Sequence, residues 1–301
     1  MTSAFKPPPL RAWMWAIRIK TLTVALIAVF VGTSLAYTQV SEFSWGIAAC
    51  MLVSALFIQA GANLINDWAD HTKGADSEER VGFPRATQMG WLTANEVFRG
   101  ALIAFGLGTL FALPLVYVAG FPVILLLVAS IAAAYLYTAG PYPLAYHGLG
   151  ELFVILFCGF VLTMVPYFVQ THFFSWESAL AGLQLGLLST SILAINNLRD
   201  IHQDRKSGKG TLAARYGIAF GRYEIVMSLV LPFLMLPLWA YFGYTIASFL
   251  PFCILPLAAQ VIILIHRYPP GPIYNSVFGL AALTHLLFGV LLGSAFLIQL
   301  I

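Results

Sequence analysis

The chain has 301 residues, 60% of them hydrophobic and only 9% charged, with a formal net charge of +3 and a mean hydropathy of +0.87. So apolar a composition excludes an ordinary soluble domain and leaves an all-α polytopic membrane protein, here one transmembrane domain over residues 1–301. A β-barrel is excluded because barrel strands alternate apolar and polar over roughly 10 residues, whereas the apolar runs here continue for about 20.

In chain order, Pro7, Pro8 and Pro9 followed by Arg11 form no signal-peptide cleavage pattern, so the first helix is expected to be retained. Hydropathy then predicts nine transmembrane helices near 21–38, 46–66, 97–117, 121–140, 150–170, 177–197, 223–243, 246–266 and 277–300. With that count all 15 Lys and Arg residues fall on one side. They precede span 1 (Lys6, Arg11, Arg18, Lys20) or follow span 2 (Lys73, Arg80, Arg85, Arg99), span 6 (Arg199 to Arg222) or span 8 (Arg267). The positive-inside rule makes that side, and the N-terminus, cytoplasmic. The segments 67–96 and 198–222 on that side are long and polar, like lids over a central cavity that opens to the cytoplasm. Cys50, Cys158 and Cys253 all fall within apolar spans and read as small hydrophobes rather than metal ligands or disulfides.

The end of span 2 carries Asn63, Asn66, Asp67 and Asp70, spaced i, i+3, i+4, i+7, with Asp76 beyond them. On a helix these four share one face, a wall of oxygen ligands where a bilayer protein normally places none. Span 6 closes in the same way, on Asn196, Asn197, Arg199, Asp200 and Asp204. Asn63-x-x-x-Asp67 and Asn196-x-x-x-Asp200 both end even-numbered spans, the mark of an internally duplicated helical unit. Two facing acidic walls suit a hard cation. The interleaved Lys73, Arg80, Arg85, Arg199, Arg205, Lys206, Lys209 and Arg215 suit phosphate. Mg²⁺ is typically held by one or two carboxylates plus substrate phosphate oxygens, so the combination points to a diphosphate bridged through Mg²⁺. A site opening onto apolar helices gives that diphosphate a long hydrocarbon tail. A cation transporter would also use intramembrane carboxylates, but it explains neither their place at one face nor the accompanying cations.

Asn66-Asp67-x-x-Asp70 with Asp76, and Asp200-x-x-x-Asp204, resemble the two aspartate-rich motifs of the UbiA superfamily of intramembrane aromatic prenyltransferases. Further stretches are similar to its 1,4-dihydroxy-2-naphthoate branch: Arg18-Ile-Lys20-Thr21-Leu22, Lys73-Gly74-Ala-Asp76, Tyr137-Thr138-x-Gly140, Tyr146-x-Gly148-Leu-Gly150-Glu151, and Gly208-Lys209-x-Thr211-Leu212. Gly74 stands where the general pattern has its third acid, with Asp76 two residues on, while Ile19 and Tyr142 stand where the pattern has Pro and Arg.

The resemblance implies transfer of a polyprenyl chain from polyprenyl diphosphate to 1,4-dihydroxy-2-naphthoate with loss of CO₂ and diphosphate. A 4-hydroxybenzoate, homogentisate or haem acceptor is the alternative within the family. It also implies a bacterial cytoplasmic membrane, contact with membrane lipid and no nucleic-acid partner. Carried over by residue, Asp67, Asp70, Asp200 and Asp204 bind Mg²⁺, with Asp76 as a further ligand. Lys73, Arg199 and Lys209, with Asn63 and Asn196, hold the diphosphate. Arg18, Lys20, Arg85 and Tyr137 are the acceptor-side candidates.

Overall fold

A computed structural model describes residues 7–74 and 81–299. Among these residues there is no strand, and nine helices are long and apolar enough to cross a bilayer. Within a bilayer only helices and closed barrels satisfy every backbone polar group, so continuous apolar runs of this length wind as helices.

A short helix α1 (Pro9–Ala16), which hydropathy does not reveal, precedes the first span α2 (Ile19–Tyr37). The remaining elements are α3 (Trp45–Thr72), α4 (Ala94–Ala119), α5 (Phe121–Thr138), α6 (Gly150–Thr171), α7 (Trp176–Arg199), the short α8 (Ile201–Lys206) and α9 (Leu212–Tyr216), α10 (Ile218–Tyr241), α11 (Ile246–Arg267) and α12 (Tyr274–Ile298). Two expected boundaries are corrected. α3 runs to Thr72 and not only to 66, so Asp67 and Asp70 sit on the helix with Asn63 and Asn66, as their spacing requires. The 198–222 segment is largely helical, in the end of α7, in α8 and α9 and in the start of α10. Side chains of both motifs thereby gain a rigid base.

Close backbone approach holds the bundle together where small residues meet. A Cβ on Gly159 of α6 would lie 2.5 Å from the Gly182 carbonyl oxygen of α7, and one on Gly186 would lie 3.1 Å from the Ile155 Cα. α3 and α4 approach in the same way, where the Ser54 hydroxyl donates to the Gly108 carbonyl at 2.8 Å. Such packing takes the place of the hydrophobic effect, which does not act between helices in lipid. Leu102, Ile103, Leu110, Leu113 and Tyr117 on α4, with Phe121, Leu125 and Val128 on α5, turn outward, an apolar surface suited to lipid. Residues 154–161 of α6 are wound as a π-helix shortly before Pro166, which has no N–H to offer the preceding turn.

Candidate active site

The last turns of α3 put Asn63, Asp67 and Asp70 in the interior, each at most 7% exposed. Asn63 donates to the Ile17 carbonyl (2.8 Å) and the Thr21 hydroxyl (3.0 Å), tying α3 to the start of α2. Asp67 accepts from the Ala86 N–H at 3.2 Å and from the Thr87 hydroxyl, so it anchors the segment after 81 over the helix. Asn66 Oδ1 accepts from Arg18 (2.6 Å) and from Arg85 (3.0 Å). Asp70 accepts from Arg85 at 2.7 Å and from the Tyr146 hydroxyl at 3.1 Å, with the Lys209 ammonium 4.0 Å away. Arg18 stands at the α1–α2 junction with φ 53° and ψ 63°, a left-handed conformation costly for a residue with a side chain, which turns the chain between the two helices.

The second motif is knitted in the same manner. The Arg199 fork lies on Asp200 (Nε to Oδ1 2.8 Å, Nη2 to Oδ2 2.7 Å) and also reaches Asn196 (2.6 Å) and Asn275 on α12 (2.8 Å). Asn275 in turn donates to the Val81 carbonyl, joining α12 to the segment that Asp67 anchors. Asp204 takes a long hydrogen bond, 3.3 Å, from Thr211. Burial pushes its carboxyl up to about 6, with Lys209 pulling down and Asp200 pushing up. The two motifs meet at Lys209 and Tyr146: the ammonium groups of Lys73 and Lys209 lie 5.1 and 5.6 Å from the Tyr146 ring centre. Phe83 makes a second bridge, between Lys20 (5.2 Å) and Arg199 (5.9 Å).

These groups cap a cavity of about 680 Å³. Its polar end is lined by Arg11, Arg18, Lys20, Arg85, Arg199 and Lys209, with the amides Asn63, Asn66, Asn196 and Asn197. The body is apolar, past Val24, Met51, Ile58, Phe157 and Val161 down to Leu115, Val123 and Val165 beside the α4–α5 turn. The cavity therefore runs from the basic end of the bundle to the other end, with the π-helical stretch as one wall.

The placement refines the expectation of two open acidic walls. Among the described residues no three His, Cys, Asp or Glu side chains converge as a metal cluster, and none of the four aspartates lines the cavity. Asp70 and Asp200 hold the basic side chains of Arg85 and Arg199, while Asp67 is taken up by Ala86 and Thr87 and Asp204 by Thr211. Lys73 also stands off the cavity, donating to the Thr138 carbonyl at 2.6 Å. Asp76 lies outside the described residues. Arg199, Lys209, Asn63, Asn196, Arg18, Lys20, Arg85 and Tyr137 all line the cavity. Thr87, Phe83 and Asn275 belong to the site but carry no motif; only the fold identifies them.

The comparisons with known proteins agree with this architecture. Residues 25–272 match the model of the UbiA prenyltransferase family. The chain belongs to that family. It is 40% identical over 215 residues to the 1,4-dihydroxy-2-naphthoate octaprenyltransferase of Escherichia coli K12, covering 69% of each chain. It is 36% identical to the enzyme of the same name from Haemophilus influenzae, covering 71% of each. The fold superposes with a TM-score of 0.71 on a UbiA homologue from Aeropyrum pernix K1, at 15% identity over 94% of this chain and 99% of that one. With a UbiA homologue from Archaeoglobus fulgidus bound to DMAPP and Mg²⁺ the score is 0.61, at 14% identity and the same coverage. The chain is thus a UbiA-family prenyltransferase built as an integral membrane protein.

Proposed function

We propose that this prenyltransferase moves a polyprenyl chain from polyprenyl diphosphate to 1,4-dihydroxy-2-naphthoate, releasing diphosphate and CO₂ and leaving demethylmenaquinol. The observation that carries the reading is the two-ended cavity: a long apolar body suited to a polyprenyl tail, and a single polar end where both aspartate motifs deliver their cations. The naphthoate acceptor is supported by the relatives at 33–40% identity that bear that name.

Arg18 and Arg85, gathered on Asn66, together with Arg199 and Lys209, would hold the diphosphate. Guanidinium forks suit its oxygens and neutralise the charge that grows as the allylic C–O bond breaks. Mg²⁺ would be held by Asp67, Asp70, Asp200 and Asp204, and when bound it supplies further neutralisation of the departing diphosphate. The donors are of the type that ion takes, buried carboxylate oxygens, and water and phosphate oxygens would complete its coordination. Lys20 and Tyr137, on the other walls of the same end, would face the acceptor. Enclosure of the allylic cation by apolar side chains would protect it from water. The protein would lie in the bacterial cytoplasmic membrane, with its N-terminus and basic end toward the cytoplasm.

Purified protein supplied with Mg²⁺, labelled polyprenyl diphosphate and a panel of aromatic acceptors tests the reading. Prenylated product is expected with dihydroxynaphthoate, is lost in excess EDTA and returns with Mg²⁺. Product with 4-hydroxybenzoate or homogentisate instead would move the chain to another branch, and full turnover in EDTA would refute the metal.

A further inference from the structure

Beneath the diphosphate end, the cavity wall contains one carboxyl group that belongs to neither aspartate motif, with a second behind it. Glu151, in the first turn of α6, is 8% exposed and lines the cavity. Asn197 of α7, also on the wall, donates its side-chain N–H to Glu151 Oε1 at 2.9 Å. Behind Glu151 stands Glu224 of α10, a second carboxyl whose Oε1 is buried without a hydrogen-bond partner. Two carboxylates buried side by side repel when both are ionised, which favours a proton on one of them. Ionisable groups inside apolar spans are costly and rarely kept for packing. Tyr137, another lining residue, stands beside the same turn: a Cβ on Gly150 would lie 3.0 Å from the Tyr137 hydroxyl oxygen.

We propose that Glu151, oriented by Asn197 and backed by Glu224, is the catalytic base that takes the acceptor's hydroxyl proton during ring alkylation and returns it once CO₂ has left. The inference rests on the proposed naphthoate reaction and supplies its proton path. The allylic C–O bond breaks, with its electron pair leaving on the diphosphate. The ring carbon bearing the carboxylate then bonds to the allylic carbon. Electrons from the neighbouring O–H feed that bond, the oxygen becomes a ketone, and the proton passes to Glu151. The bond to the carboxylate then breaks as CO₂ departs. Its pair restores the aromatic ring and leaves a naphtholate oxygen, which recovers the proton from Glu151. No proton is gained or lost overall, which suits a carboxyl largely buried in the cavity wall. Glu224 is a positioning residue that never meets substrate.

The test compares ring product with diphosphate release in wild type and Glu151→Gln. Glu151→Gln is expected to lower kcat for ring product by about 10²- to 10⁴-fold, the usual contribution of a general base. KM for both substrates should stay within about threefold of wild type, with polyprenyl diphosphate still bound and slowly cleaved to the prenol. Ring product within tenfold of wild type would overturn the proposal. So would a loss of polyprenyl diphosphate binding in step with turnover, since a mere tie between α6, α7 and α10 would act that way. If Glu151→Gln does not insert, Glu151→Asp, which keeps the carboxylate but withdraws it by one methylene, carries the test. It should lose ring product while retaining diphosphate cleavage, and unchanged kcat would refute the base. Failure of the naphthoate reading itself would show in the wild type, as no naphthoate-dependent product at all.

Discussion

Asp67 and Asp200 hold the site in different ways. Asp67 accepts from a backbone N–H and a hydroxyl, so Asp67→Asn sets an amide NH₂ against one donor besides weakening any metal contact. We expect kcat to fall at least 100-fold, with stability lower by about 1–3 kcal/mol, the usual cost of leaving a buried donor unpaired. Thr87→Val separates the two effects. It removes one hydrogen bond to Asp67 and leaves the carboxylate, so the melting temperature should drop while most of kcat remains. Asp204 brings a pH dependence. Burial holds its carboxyl up to about 6, so above that pH it is ionised and ready for a cation, and below it a proton competes. The Mg²⁺ concentration for half-maximal activity should therefore rise as pH falls from 7.5 to 5.5, and in Asp204→Asn that rise should flatten. Arg18 and Lys20, paired by sequence as acceptor candidates, part company in the fold. Arg18 joins Arg85 on Asn66, whereas Lys20 lies over Phe83 on the Arg199 side. Lys20→Gln is expected to raise KM for the acceptor and leave KM for polyprenyl diphosphate nearly unchanged.

Among the helices, the α6–α7 contact is the one on which the cavity wall depends. Gly159 faces backbone atoms of Gly182 and Gly186, which cannot move aside as a flexible side chain can. Gly159→Leu should force the π-helical stretch away from α7, costing about 1–3 kcal/mol or more as overpacking does. The change would displace Phe157 and Val161 from the cavity wall. The measurement is thermal unfolding in detergent beside KM for donors of increasing chain length. A melting temperature equal to wild type would show that the close approach is not maintained.

For the molecule as a whole, the orientation of the bundle is testable by labelling. Cysteines introduced by Ser207→Cys and Phe173→Cys lie at opposite ends, beyond α8 and between α6 and α7. A membrane-impermeant maleimide should reach the first only from the cytoplasmic side and the second only from the other. Labelling of both from one face would refute nine spans with a cytoplasmic N-terminus.

The span count, the helical class and the two aspartate motifs were legible in the sequence, because a bilayer forces each segment to satisfy its own backbone hydrogen bonds. Helix formation is then a local property, written in about 20 successive residues. The partners of those motifs were not legible. That Asp70 meets Arg85 and Tyr146, that Arg199 reaches Asn275, and that Phe83 lies between Lys20 and Arg199 are matters of which helix faces meet. Those meetings depend on glycines and small side chains along the contacts, which periodicity does not reveal. Glu224 stood at the second residue of the span expected at 223–243, and only the helix start at Ile218 places it nearly two turns in. Only the packing of α6, α7 and α10 placed it behind Glu151 and set Asn197 on that carboxyl, through tertiary contacts between segments far apart in the chain.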